Sequence, residues 1–300
     1  MPWAKRGIVM EPPRRLAWSH SHAALPVPEP LPDGRLALYF SARDVEGRAR
    51  IGRAEVSLDG TSEAQIHANP VLDLGELGSF DDAGVTSSCF VDHDGRRYLF
   101  YSGWSRGVSV PYYFYAGCAV SDGGPFVRVS RGPILERNEV DPFLTASPWV
   151  LVENGRWRMW YVSGTGWRLE DGGPKHWYHI KYAESDDGIT WRRDGQVCVD
   201  HQDELEYALG RPCVVREGGR YRMWFSARGA SYRLAYADSD DGLSWTRRDE
   251  EAQLTGDSGA WDSEMQAYPV VFDVDGLRHM LYNGNGYGRT GIGHAVFEAE

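Results

Sequence analysis

A hydrophobic stretch, a glycine turn and a strand ending in a small polar pair recur five times along the chain. The copies are Arg35-Leu-Ala-Leu-Tyr-Phe-Ser-Ala42, Arg97-Tyr-Leu-Phe-Tyr-Ser-Gly103, Arg156-Trp-Arg-Met-Trp-Tyr-Val-Ser-Gly164, Arg220-Tyr-Arg-Met-Trp-Phe-Ser-Ala227 and Leu277-Arg-His-Met-Leu-Tyr-Asn-Gly284. Their turn glycines, Gly34, Gly95, Gly155, Gly219 and Gly276, lie 57 to 64 residues apart, so five units use up all 300 residues. A repeat that no unit can bury alone, running from end to end, points to one array and not to two ordinary domains.

The third copy shows how a unit is built. Pro148-Trp-Val-Leu-Val-Glu153 reads as a strand and Asn154-Gly155 as a tight hairpin turn. Arg156 to Val162 is a second strand, Trp177 to Ala183 a third, and Ser185-Asp-Asp-Gly-Ile-Thr-Trp191 turns into a fourth. Ser239-Asp-Asp-Gly-Leu-Ser-Trp245 repeats that ending, and Ser121-Asp-Gly-Gly-Pro-Phe126 varies it. Four antiparallel strands per unit without helical periodicity predict an all-β, five-bladed β-propeller spanning residues 1–300. The blades are expected near residues 20–72, 85–135, 146–198, 210–254 and 267–298. The last blade lacks a fourth strand, and Trp3-Ala-Lys-Arg-Gly-Ile-Val9 resembles the fourth-strand segment Trp191-Arg-Arg-Asp-Gly-Gln-Val197. Residues 3–10 should therefore pair into blade five and close the ring, removing exposed strand edges.

The charged fraction of 25% and hydrophobic fraction of 42% suit a soluble globular protein. A net charge of −11 without a polybasic run argues against a nucleic acid partner, but leaves room for a local basic pocket. No apolar run is long enough to span a membrane, and the start lacks the apolar core of a signal peptide. Cys89, Cys118, Cys198 and Cys213 have no metal-ligand spacing and read as core residues of a cytoplasmic protein. No metal and no cofactor is expected.

In a propeller, the crossings from one blade's outer strand to the next blade's inner strand converge on the axis. Function is looked for on such loops. The crossings are Glu11 to Ala24, Asp73 to Ser87, Glu136 to Ser147, Asp200 to Arg211 and Gly256 to Tyr268. Four carry an acid at a matched place before the inner strand: Asp82, Asp141, Glu206 and Glu264. A cluster of carboxylates, with one kept protonated and another ionised, suits general acid and base catalysis. The first crossing offers His20 and His22 instead. His22, Arg43, Trp104, Trp167, Arg211, Arg228, Gln266, Tyr268, Asn283 and Asn285 are the candidate substrate-binding residues, of the types that pair with sugar hydroxyls or stack on sugar rings.

With the Ser-Asp-Asp-Gly-x-x-Trp hairpins and the strand ending Met-Trp-Phe-Ser-Ala, the chain resembles the five-bladed propeller glycoside hydrolases and phosphorylases. These are the arabinanase-like family 43, the invertase-like family 32 and the mannoside phosphorylase family 130. Ser21-His-Ala23, Tyr39-Phe-Ser-Ala-Arg-Asp44 and Tyr282-Asn-Gly-Asn-Gly-Tyr-Gly-Arg-Thr-Gly291 bring it nearest to uncharacterised glycosidase-like propellers. The resemblance implies a sugar or sugar-like small-molecule substrate in the axial funnel, with carboxylates from different blades as acid, base or nucleophile and pKa modulator; for an enzyme acting on a glycoside, Glu206 and Asp141 are the expected acid/base pair, with Asp82 or Glu264 tuning them. A carboxyl separation of about 5–5.5 Å would mean retention and about 6.5–9.5 Å inversion. One departure stands out. Families 43 and 32 take an essential Asp from the inner strand of blade one, where this chain reads Trp18-Ser-His-Ser-His-Ala-Ala24. Two alternatives therefore stay open beside hydrolysis or phosphorolysis. One is a glycosidase scaffold repurposed for a non-hydrolytic step (lyase, cyclase or isomerase). The other is a non-catalytic sugar-binding propeller.

Overall fold

The computed structural model describes residues 3–60, 63–256 and 259–298. Residues 1–2 and 299–300, at the ends of the span read as one propeller, lie outside the described residues, as do residues 257–258 of the fifth crossing.

Five antiparallel units follow one another, four of them with four strands and the third with its outer edge split in two. The first is Ser21–Pro30, Leu36–Arg43, Ala49–Val56 and Gln65–Ile66. The second is Gly84–His93, Arg96–Arg106, Tyr112–Ser121 and Val127–Arg128. The third is Thr145–Glu153, Arg156–Glu170 and Gly173–Ser185, with Trp191–Arg192 and Val197–Val199 both paired to its third strand. The fourth is Ala208–Glu217, Arg220–Arg228, Tyr232–Ser239 and Thr246–Arg247. The fifth is Ala267–Val274, Leu277–Asn283, Ile292–Phe297 and, from the other end of the chain, Trp3–Met10. The closing strand predicted from the sequence is thus in place, and the fold is the propeller.

The hairpin turns follow from local chemistry. Asp94-Gly95, Asn154-Gly155 and Asp275-Gly276 each hold two consecutive positive φ values, as the tight turns that match strand twist require. The Ser-Asp-Asp-Gly hairpins are capped alike. Asp187 Oδ1 accepts the N–H groups of Ile189 and Thr190, and Asp241 Oδ1 accepts those of Leu243 and Ser244.

The small polar residue near the end of the second strand, present in four of the five units, has a job that the sequence did not disclose. Ser41 Oγ accepts the backbone N–H of Ser87, Ser102 Oγ that of Ser147, and Ser226 Oγ that of Tyr268. Asn283 Oδ1 accepts the N–H of Leu25, which carries the lacing from the fifth unit back to the first. The third unit has Val162 at this place, facing the cavity and unable to accept. The four laces reach inner strands where pairing slips by a bulge, between Ala24 and Val27, Ser87 and Cys89, Ala146 and Trp149, and Ala267 and Val270; the fourth unit's inner strand, which receives no such lace, slips likewise between Gly210 and Cys213. At four of these bulges the residue before proline sits at positive φ: Leu25 (53°), Ser147 (46°), Arg211 (55°) and Tyr268 (57°). Such a conformation costs about 1–3 kcal/mol per residue away from glycine, and bulges re-aim side chains. Here all four side chains are aimed at the axial cavity.

Candidate active site

The axial cavity has a volume of about 440 Å3, within the range of ligand pockets. All five units contribute to it, from three recurring places. The inner-strand bulges supply Leu25, Ser147, Arg211 and Tyr268. The ends of the second strands supply Arg43, Trp104 and Arg228. The starts of the third strands supply Tyr112 and Phe114, His176 and Tyr178, and Tyr232. Alternation along a strand puts residues i and i+2 on one face, which is why 112 with 114 and 176 with 178 appear as pairs. His22 and Tyr287 complete the wall. The glycine-rich segment Asn285–Gly288 makes one short helical turn, irregular because Gly286 and Tyr287 sit at positive φ, and so presents Tyr287.

Of the ten residues expected to bind substrate, His22, Arg43, Trp104, Arg211, Arg228 and Tyr268 line this cavity. Trp167 stands behind the wall, against the rings of Tyr112 (5.4 Å) and His176 (5.7 Å). Gln266 Nε2 donates to Asp262. Asn283 is the lace between the last and first units, and Asn285 Oδ1 accepts the backbone N–H groups of Glu264 and Met265. Tyr112, Phe114, His176, Tyr178, Tyr232 and Tyr287 escaped the sequence reading. The alternating aromatics at the third-strand starts were the available signal.

The acids are placed elsewhere. Among the described residues no Asp or Glu lines the cavity. Asp141, wholly buried, receives Tyr161 Oη (2.9 Å) and Ser163 Oγ (2.6 Å), with Lys181 Nζ at 3.3 Å and Arg193 Nη1 at 3.1 Å. Glu206 is gripped by Arg247 at 2.6 and 3.1 Å and by Arg233 at 2.8 Å. In the other two crossings the buried acid is a neighbour of the one expected. Asp81, not Asp82, takes Arg128 Nε (2.7 Å) and Tyr101 Oη (3.0 Å). Asp262, not Glu264, takes Lys5 Nζ (2.7 Å) and Tyr282 Oη (3.0 Å). Asp82 caps a turn through the Gly78 N–H, and Glu264 is exposed. The matched register is therefore a latch: an acid in each of these crossings binds a cation on or just past the unit's outermost strand. Phe225 replaces the tyrosine in unit four, with Arg247 5.2 Å over its ring. Unit one has no such acid. Trp18 packs on Phe40 there and donates Nε1–H to Ala68 O.

The cavity is cationic in a chain of net charge −11. Arg211 is 1% exposed; its Nη2 donates to Pro26 O, while Nε and Nη1 have no hydrogen-bond partner. Burial lowers its pKa to about 10, so it stays charged at neutral pH. Arg228 lies among the rings of Tyr207, Tyr232 and Tyr287 at 5.2 to 5.5 Å. His22, whose Nδ1 is 2.9 Å from Ser21 Oγ, is lowered to about 4 by burial and by Arg43 and Arg289. His176 is lowered to about 4 by burial, Arg228 and Lys175. Both imidazoles are neutral at pH 7. The hydroxyls of Tyr178 and Tyr232 hydrogen-bond each other across units three and four. Among the described residues no cluster of His, Cys, Asp and Glu could hold a metal ion. No helix is long and apolar enough to cross a membrane.

The buried histidines set a pH dependence. His22, His176 and His294, each at about 4 in the folded protein against 6.5 ordinarily, bind protons more readily when unfolded. Their contribution is complete above pH 6.5 and is lost as pH falls toward 4. Urea midpoints measured across that window should fall steadily with acidification, and His294→Leu should flatten the slope. A midpoint independent of pH in this range would refute the assignment.

No protein-family model matches the chain. It is 45% identical over 302 aligned residues, covering 99% of its length and 100% of theirs, to the uncharacterized proteins MT1551 and Rv1502 of Mycobacterium tuberculosis strains CDC 1551 and H37Rv. Among solved structures it is similar to one described as a glycoside hydrolase (TM-score 0.78, 17% identity, 99% of this chain and 92% of that one). It is also similar to a thermostable family-43 glycoside hydrolase (TM-score 0.66, 16% identity, 96% and 91%). A third is an endo-arabinase from Bacteroides thetaiotaomicron (TM-score 0.67, 15% identity, 97% and 98%). At these identities the likeness establishes the fold.

Proposed function

Because the chain belongs to the family of the mycobacterial proteins MT1551 and Rv1502, and carries on a glycosidase-like propeller an axial pocket lined by no carboxylate among the described residues, we propose that it takes an anionic, sugar-like metabolite and acts on it without a carboxylate pair. The observation that carries this reading is Arg211. A guanidinium buried in the chain with two N–H groups unpartnered is costly unless an anion completes it. A carboxylate or phosphate held in the cavity beside Arg211 supplies the counter-charge, and the aromatic wall from Trp104 to Tyr268 covers the ring of the ligand.

The chemistry suited to this setting is proton transfer beside the anionic group, of the isomerase or lyase class. His22 is the base on this reading. It is neutral at pH 7, and an anion placed against Arg43 offsets one of the charges that depress its pKa. Hydrolysis through Glu206 and Asp141 is not part of this reading, since their oxygens are engaged by cations outside the cavity.

Calorimetric titration separates the readings. D-glucuronate or glucose 6-phosphate should bind, and glucose should not. Arg228→Gln should weaken the anion at least tenfold, as expected for loss of one charge-assisted donor. Glucose binding as tightly as the anions would overturn the proposal. Release of aglycone from aryl glycosides, with or without phosphate, would restore hydrolysis or phosphorolysis. Tight anion binding without turnover of any sugar acid or sugar phosphate would leave a binding propeller.

A further inference from the structure

We propose that the axial pocket has two anion-binding ends, Arg43 of unit one and Arg228 of unit four, and that its ligand is a sugar-like molecule with two anionic groups, one for each end. This rests on the anion reading above and adds how many charged groups the ligand bears.

The two arginines hold the same place in their units. Arg43 pairs with Ser21 and Arg228 with Ala208, in each case the first residue of the inner strand. Both line the cavity. They are not neighbours on the ring, because unit five stands between, laced to unit four at Tyr268 and to unit one at Leu25. Unit five puts Tyr268 and Tyr287 into that gap. The Tyr287 ring centre is 5.5 Å from the Arg228 guanidinium carbon, and both tyrosines also act on Arg43.

Each end is reachable and has no acid of its own. Arg43 is exposed and Arg228 half-buried. Neither forms an ion pair among the described residues. Asp44, next to Arg43, is taken by Arg48 and Arg50. Arg228 Nε is buried, which leaves its terminal nitrogens to meet a ligand. Arg289, also exposed, adds a second positive charge close enough to depress the pKa of Arg43. Like charges held together without an acid favour an anion between them.

One anion cannot serve both ends. A carboxylate or phosphate held by a guanidinium sits about 3 Å from it, and these two guanidinium groups belong to units separated by a third. A cavity of about 440 Å3 has room for a ligand body between them. Trp104, at the matching place of unit two opposite Gly84, offers that body an apolar face. The hydroxyls of Tyr268 and Tyr287 can donate and accept, as sugar hydroxyls do.

Calorimetric titration with a matched series tests this. D-gluconate carries the carboxylate alone, sorbitol 6-phosphate the phosphate alone, and 6-phospho-D-gluconate both, on a flexible chain that adapts to the spacing of the ends. The wild type should bind the doubly anionic compound at least about tenfold more tightly than the better of the other two. In Arg43→Gln, and separately in Arg228→Gln, that advantage should vanish, whereas Arg43→Lys should keep most of it. A single site that merely favours charge would keep the advantage in both glutamine variants, and that result overturns the proposal. So does a wild type that binds gluconate or sorbitol 6-phosphate and gains nothing from the second group, although the anion reading then survives. Failure of all three compounds to bind would sink both readings. The wild-type comparison stands whether or not either variant folds.

Discussion

Asp141→Ala is expected to lower folding stability by about 3–5 kcal/mol, the range for removing one member of a buried ion pair. The variant would strand Lys181 and Arg193, whose side chains are 10% and 4% exposed, and would leave Tyr161 Oη and Ser163 Oγ without their acceptor. Asp141→Asn should also destabilise, though less, because the amide oxygen can still accept one of these bonds but brings no charge. Urea unfolding followed by tryptophan fluorescence checks both. The result separates two views of this residue. A catalytic acid could be replaced with loss of turnover and an intact fold, whereas a latch gives way as a fold before any assay is run. A stable, fully folded Asp141→Ala protein would refute the latch. The same contrast holds for Glu206→Gln, with Arg247 and Arg233 as the stranded cations.

Trp3→Ala should cost a similar amount, about 3–5 kcal/mol for a large buried aromatic. Trp3 is fully buried in the closing strand, edge-on to Phe297 of the fifth unit (5.2 Å) and to Trp224 of the fourth (6.0 Å), and donates Nε1–H to Glu251 O. Two residues on, Lys5 closes the latch of unit five with Asp262. The first few residues of a chain are ordinarily the least costly to alter. A large loss at residue 3, read as a shift of the urea midpoint, would mark this end as structural. A loss under about 1 kcal/mol would show that ring closure does not depend on it.

The five-fold repeat made the fold legible before any coordinates. Period-2 strands, paired turn residues of the Asn154-Gly155 kind and a last unit short by one strand are local or countable features, and the pairing of Trp3–Met10 with Ile292–Phe297 followed from them. The register of acids was half legible. Asp141 and Glu206 are the acids of their crossings that meet cations, though outside the cavity, and in the other two crossings the buried member is Asp81 and Asp262 in place of Asp82 and Glu264. Spacing alone does not say which of two acids turns inward. Nor could it say which way the set faces. The cations they meet lie 47, 52 and 41 residues away for Asp81, Asp141 and Glu206, and at the opposite end of the chain for Asp262.

By itself the sequence determined that five β units close through their two ends, because hydrophobic alternation and turn chemistry act over a few residues and repeat. Only the tertiary structure decided what the axis holds. Strained bulges turn Arg211 and Tyr268 inward, third-strand starts add His176 and the tyrosines, and the carboxylates are drawn outward by guanidinium and ammonium partners. That choice is an energy balance among groups distant in sequence. A buried acid goes to its cation, and Arg211, a buried cation for which no acid partner is seen among the described residues, marks where an anion fits.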